Sequence, residues 1–160
     1  FFPAGYRRLI DMAIRIQTEL FDVGHEISQL TAADTRVGAV ATFMGLVRDL
    51  GGSEPLLSLT LEHYPGMTEK ALATLESEAR ARWGVLDVLI IHRVGCLQPQ
   101  NPIVLVVVTG SHRGETFSAC EYLMDALKTR APFWKKETMT SGEHWVEPRL
   151  SDDKALERWK

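Results

Sequence analysis

The chain has 160 residues, of which 45% are hydrophobic, enough for one domain with a real core. With 24% charged residues and a formal net charge of −3, it resembles neither a disordered tail nor a general nucleic-acid binder, so any cationic site has to be local. The longest strongly apolar run, residues 103–108, is too short to cross a bilayer, and no charged-then-apolar leader is recognisable, so a cytoplasmic protein with no membrane partner is expected.

Residues 1–11 match no pattern and are read as an N-terminal extension, with a single domain over 12–160 and Met12 as a candidate native start. From Met12 the alternation of Ile14, Ile16 and Leu20 with Arg15, Gln17 and Glu19 predicts a half-buried strand. A short helix is expected over 24–30, followed by β-rich segments at 37–47 and 56–63, the latter with Leu57, Leu59 and Leu61 on one face. The Gly51-Gly52-Ser53-Glu54-Pro55 stretch between them is turn material. Leu72, Leu75, Ala79 and Trp83 recur at helical spacing over 68–83, between Pro65-Gly66 and Gly84.

Two strands follow at 85–94 and 103–109, divided by Pro99 and Pro102. The second is apolar on both faces and therefore central. A helix over 114–129 carries Phe117, Cys120, Leu123, Met124 and Leu127 on one stripe and stops before Pro132. Residues 133–138 and 144–147 bracket Ser141-Gly142 as a hairpin. Helices mixed among strand pairs, without strict βαβ alternation, indicate an α+β fold.

Chemistry is concentrated in two stretches. Thr109-Gly110-Ser111-His112-Arg113-Gly114 joins a buried strand to a helix start, where unpaired N–H groups and the positive dipole end favour an anion. His112 adds a proton donor or acceptor and Arg113 a planar cation suited to phosphate, although a plain polar loop gives the same pattern. In the second stretch Lys128 follows Met124 by four residues, at the edge of the apolar stripe, which can half-bury its amine. A lysine near other cations and apolar walls has its ammonium disfavoured and becomes available as a base or nucleophile. A solvated helix terminus is the plainer alternative. Arg48 and Arg149 stand at a strand end and after Pro148, where each either reaches a cleft or lies on the surface.

No pair among His25, His63, His92, His112 and His144 has ligand spacing, and no Walker or dinucleotide glycine loop is present, so neither a metal nor a cofactor is expected. Cys96 and Cys120 are too far apart for a Cys-x-x-Cys pair and read as ordinary thiols.

Several runs together carry a resemblance. They are Gly38 through Arg48; Leu61-Glu62-His63-Tyr64-Pro65-Gly66-Met67-Thr68-Glu69-Lys70-Ala71; Ile91-His92-Arg93-Val94-Gly95; Ser111-His112-Arg113; Lys128-Thr129-Arg130-Ala131-Pro132-Phe133-Trp134-Lys135-Lys136-Glu137; and Trp145-Val146-Glu147. In this order they resemble the MoaE family, the large, catalytic subunit of molybdopterin synthase, over most of the chain from about Ala13.

The resemblance implies an α/β hammerhead-type fold with a smaller α+β portion. It implies a sulfurtransferase in which a small ubiquitin-like subunit, its C-terminal Gly-Gly carried as a thiocarboxylate, gives sulfur to cyclic pyranopterin monophosphate, building the dithiolene of molybdopterin in two transfers. Neither cysteine then has to carry sulfur. By the family pattern Lys128 and Lys135 are the catalytic lysines, with Trp134 setting the register in favour of Lys135 over Lys136. Arg48, His112, Arg113 and Arg149 are basic pocket residues for the pterin phosphate, some of them supplied across a dimer interface, while Phe43 and Met124 line the pocket. The implied assembly is a homodimer with one small subunit at each end, a heterotetramer. Two rivals stay open: a module that only docks a ubiquitin-like partner, and an unrelated enzyme acting on a phosphorylated metabolite through His112 and Lys128.

Overall fold

The computed structural model describes residues 13–160; the expectations for residues 1–11 and for Met12 lie outside them. Two four-stranded sheets organise the described residues. The first has the order β1 (Ile14–Gln17), β4 (Val85–Arg93), β6 (Pro102–Gly110), β2 (Ala39–Leu46), with β1 parallel to β4 and the other pairs antiparallel. The second, wholly antiparallel, has the order β5 (Gly95–Leu97), β3 (Ser58–His63), β7 (Phe133–Met139), β8 (Gly142–Trp145). Among the described residues the helices are α1 (Val23–Thr31), α2 (Met67–Arg82), α3 (Arg113–Arg130) and α4 (Leu150–Glu157). The mixed order is the α+β architecture expected.

β6 is central, as its two-faced apolarity predicts. Val104, Val106 and Val108 face α2 and α3 in the main core, and Leu105 and Val107 face the other side with Phe21, Leu89 and Ile91 under α1. Helix α2 buries Leu72, Leu75 and Ala79 completely, as the spacing requires. It stops at Arg82, and Trp83 caps it in an extended conformation. At its start Gly66 adopts φ 85°, a left-handed value that favours glycine, and the Glu69 carboxylate accepts from the Gly66 N–H at 2.6 Å. A third small core of Val47, Leu56, Leu59, Leu61 and Leu97 lies under the second sheet.

Some expectations are corrected. The first strand ends at Gln17, and Leu20 is 64% exposed, because the chain turns toward Asp22, whose side chain caps α1 by accepting from the His25 N–H. Leu57 precedes β3 and is exposed, so only Leu59 and Leu61 share its buried face. Phe117 is exposed too, because the buried stripe of α3 runs through Thr116, Ala119, Cys120, Leu123 and Leu127. The hairpin turn is Thr140-Ser141, with Gly142 already paired to Met139. Strand β5 and helix α4 were not expected.

Candidate functional site

Helix α3 is the beam of the site. It starts where β6 ends, and the junction is tight: a Cβ on Gly110 would lie 2.4 Å from Thr116 Oγ1, and one on Gly38 would lie 2.4 Å from the Ser111 carbonyl oxygen. The Thr116 hydroxyl donates to the His112 carbonyl at 2.7 Å, and Ser111 Oγ donates to the Arg36 carbonyl at 3.1 Å. His112 is the N-cap residue and Arg113 opens the helix, both exposed. Lys128 lies in the last turn, sixteen residues beyond His112, which at 1.5 Å per residue is about 24 Å. Within one chain, the His112–Arg113 pair and Lys128 therefore occupy opposite ends of the helix.

A cleft of about 570 Å³ runs between β2 and α3, lined by Ala41, Thr42 and Phe43 from the strand, Phe117, Cys120, Glu121, Met124, Asp125 and Lys128 from α3, and Asp152 from α4. Three expected residues, Phe43, Met124 and Lys128, thus share it. Lys128 Nζ lies 3.9 Å from Asp152 Oδ1, with half the lysine side chain exposed. Burial pushes the Cys120 thiol up to about 11, so it stays protonated at neutral pH and is a poor nucleophile; Cys96 is exposed on β5, outside the cleft.

Lys135 reaches the same region from β7. It is an exposed residue of the strand, and partial desolvation of its amine lowers its pKa. The charge of Lys128 adds to the lowering, Asp152 opposes it, and Arg149 adds a smaller lowering. Lys128, Lys135, Arg149 and Asp152 are therefore one electrostatic cluster. Strand alternation sends the neighbouring Lys136 elsewhere: its amine lies 3.2 Å from Glu143 Oε2 and over the Trp145 ring.

The rest of the lysine-bearing run is anchored. Arg130 grips Glu78 of α2 with two hydrogen bonds at 2.6 and 2.9 Å, and Tyr122 donates to the same carboxylate at 2.5 Å. The Arg130 bonds, followed by that of Tyr122, hold the Glu78 carboxyl down to about 2. Pro132 offers its carbonyl to the buried Thr68 hydroxyl, and Phe133 stacks on His92 at 3.7 Å between ring centroids. The motifs around Thr68 and His92 thus brace the connection between the two lysines.

Arg48 is exposed just past the end of β2, in the Asp49 loop, and is not among the residues lining the cleft. Since β2 starts beside Gly110 and ends beside Pro102, Arg48 lies toward the Lys128 end of α3, away from His112. Arg149 is the exposed N-cap residue of α4. Sequence reasoning missed Asp152. Its available signal was Pro148 followed by Ser151-Asp152-Asp153, a polar start of the kind that opens helices. Among the described residues no group of three His, Cys, Asp or Glu side chains converges as a metal site.

The family model described as MoaE protein matches residues 16–130. The molybdopterin synthase catalytic subunit of Ralstonia nicotianae is 53% identical over 146 residues, 91% of this chain and 83% of that one. That of Pseudomonas aeruginosa is 50% identical over 149 residues, 93% and 99% of the two chains. Among solved structures, the molybdopterin biosynthesis MoaE protein of Burkholderia ambifaria superimposes with a TM-score of 0.80 at 53% identity, covering 92% of this chain and 97% of that one. Molybdopterin synthase from Staphylococcus aureus gives 0.78 at 32% identity, covering 83% and 96%. The chain belongs to the MoaE family, the catalytic subunits of molybdopterin synthase.

Proposed function

We propose that the lysine end of the β2–α3 cleft is where sulfur passes from the thiocarboxylated tail of a small ubiquitin-like subunit to cyclic pyranopterin monophosphate. The chain acts as the catalytic subunit of a molybdopterin synthase, an enzyme of molybdenum cofactor biosynthesis. The observation that carries the site assignment is Lys128 in the cleft with Phe43 and Met124, close enough to Lys135 for the two charges to be felt between them.

The chemistry asks for cations. Two anions meet, a thiocarboxylate and a phosphate, and developing charge has to be met by fixed positive groups. Sulfur bonds to a pterin side-chain carbon as a C–O bond there breaks, the oxygen leaving with the phosphate when its ring opens or as water, and one water per sulfur cleaves the acyl–sulfur bond and returns the tail as an ordinary carboxylate. Lys135, whose partly desolvated amine gives up its proton more readily, moves protons in these steps, while Lys128, at the cleft wall, receives the thiocarboxylate. The apolar Phe43 and Met124 walls give the pterin a surface to lie against.

His112 and Arg113 enter through a second copy. Strand β2 is a sheet edge and exposes Val40, Met44 and Leu46 on the face away from α3, a hydrophobic edge of the kind that pairs with another chain. A two-fold copy along this edge reverses direction, so the second copy's His112 and Arg113 approach Arg48 and Lys128. Arg48, Arg149 and the imported pair then hold the pterin phosphate, and the homodimer with two small subunits is a heterotetramer. A protein–protein complex of subunits 1 and 2 of molybdopterin-converting factor from Helicobacter pylori has the same fold, with a TM-score of 0.71 at 20% identity.

Residues 12–160 make up the synthase domain, with 1–11 as an extension. Among the described residues no helix is long and apolar enough to cross a membrane, and the cytoplasm is the proposed location.

Reconstitution tests the reading. The purified chain, a thiocarboxylated small subunit and cyclic pyranopterin monophosphate are expected to yield molybdopterin, read as its fluorescent oxidation product, and Lys128→Ala is expected to abolish it. No product from the parent, with the partner active on an authentic large subunit, would leave a docking module. Equal product from parent and variant would remove Lys128 from the chemistry.

A further inference from the structure

The cleft read above as receiving anions contains three carboxylates, Glu121, Asp125 and Asp152. Two of them are already engaged by the end of the chain. Arg158 donates to Glu121 at 2.6 Å and to Asp125 at 2.7 Å, and the Trp159 indole N–H donates to Asp125 at 2.7 Å. Asp152 is different, because its partner is Lys128.

The position of Asp152 is built by tertiary contacts. It lies in the first turn of α4, and the residues just past that helix are clamped. The Trp159 ring meets Trp83 at 5.5 Å and Tyr122 at 5.8 Å, and Arg82 lies over all three rings while donating to the Trp159 carbonyl. Seven residues of near-helical chain, about 10 Å, separate this clamp from Asp152. So short a lever leaves the carboxylate little freedom, and its side chain is only 27% exposed.

We propose that Asp152 is a positioning residue for sulfur transfer: it is the resident counter-ion of the Lys128–Lys135 pair and holds Lys128 toward the cleft between turnovers. The assignment rests on reading this cleft as the sulfur-transfer site. At 3.9 Å the contact is an ion pair without a hydrogen bond, loose enough for an incoming anion to take the ammonium over. The charged and titratable groups around the pair are Asp152 and Arg149 from α4, Glu121 and Asp125 from α3, and, toward Lys135, the buried His92 with the half-buried His63 beside it. Arg158 engages both Glu121 and Asp125 and offsets one of their two charges, whereas Asp152 is the carboxylate that pairs with Lys128 itself. Its carboxylate favours the ammonium form of Lys135 against desolvation and against Lys128.

The test uses the full chain with Asp152→Asn and Asp152→Glu, following the lysine side-chain carbons by NMR against pH and single-turnover molybdopterin formation with the small subunit. In Asp152→Asn the Lys135 midpoint is expected to fall, the pH optimum to move down with it, and the rate at neutral pH to drop about fivefold, the size of a partly exposed ion pair. Asp152→Glu is expected to restore all three. A Lys135 midpoint and rate unchanged in a folded Asp152→Asn protein would overturn the assignment, as would a loss that Glu does not rescue. Absence of product from the parent would instead overturn the sulfur-transfer reading, and the titration of the free chain would still report whether Asp152 couples to Lys135.

Discussion

The Thr68 hydroxyl donates to the Pro132 carbonyl at 3.2 Å, linking the first turn of α2 to the connection between Lys128 and Lys135. Thr68 is wholly buried, and its oxygen also accepts the Tyr64 N–H at 3.1 Å. Thr68→Val keeps the shape and strands both backbone groups, so the fold is expected to lose about 1–3 kcal/mol. Urea unfolding measures this directly. The same variant is expected to transfer sulfur more slowly at a temperature where it remains folded, because the lysine connection loses its brace. Parental stability would show that water replaces the hydroxyl.

Adjacent lysines on β7 should behave unlike each other. Lys135 belongs to the cationic cluster of the cleft, whereas Lys136 pairs with Glu143 and covers Trp145. Lys135→Ala is expected to reduce molybdopterin formation by about two orders of magnitude or more, the scale of a lost proton-transfer group. Lys136→Ala should keep most of the activity and cost less than about 1 kcal/mol of stability, as expected of a surface pair. The reverse ranking in the reconstituted assay would move the chemistry to Lys136.

Stability should fall on mild acidification because of His92. Burial pushes its pKa down from an ordinary 6.5 to about 4; the Nδ1–H bond to the Arg93 carbonyl opposes this, and the charges of Lys135 and His63 assist it. The unfolded chain binds this proton more readily than the folded one. The contribution is therefore fully present above pH 6.5 and is lost as pH falls toward 4, on the order of 3 kcal/mol in all. His92→Phe keeps a ring against Phe133 and removes the titration. Denaturant midpoints from pH 7 to 4.5 should decline more steeply for the parent; parallel declines would assign the acid sensitivity to another group.

Long periodic elements were readable because burial alone specifies them. Leu72, Leu75 and Ala79 on α2 and the two-faced apolarity of β6 needed no knowledge of what lay opposite. Strand β5 escaped because it has three residues and depends on a left-handed turn at Gly95. Helix α4 escaped because it buries no residue and is held from outside, through Arg158 and Trp159. The lysine run was legible as a motif, and Phe43 and Met124 with it. Asp152 was not, since its role depends on where a tertiary clamp sets a helix with little amphipathic pattern of its own. Phe117 misled for a related reason: the helical period places it near the stripe, but only the position of β2 decides that it faces a cleft.

The separation of His112 from Lys128 leads to a test by mixing. If each site takes Arg48 from one copy and His112 from the other, Arg48→Ala and His112→Ala chains are each inactive alone, yet a mixed dimer has one site with both defects and one with neither. Random exchange of equal amounts makes half the dimers mixed, so about a quarter of all sites recover. Co-refolding the two variants and assaying molybdopterin formation against total chain should therefore return about a quarter of the parental activity. No recovery, with mixed dimers demonstrated by mass, would place both residues in the service of one chain's site and remove the composite arrangement.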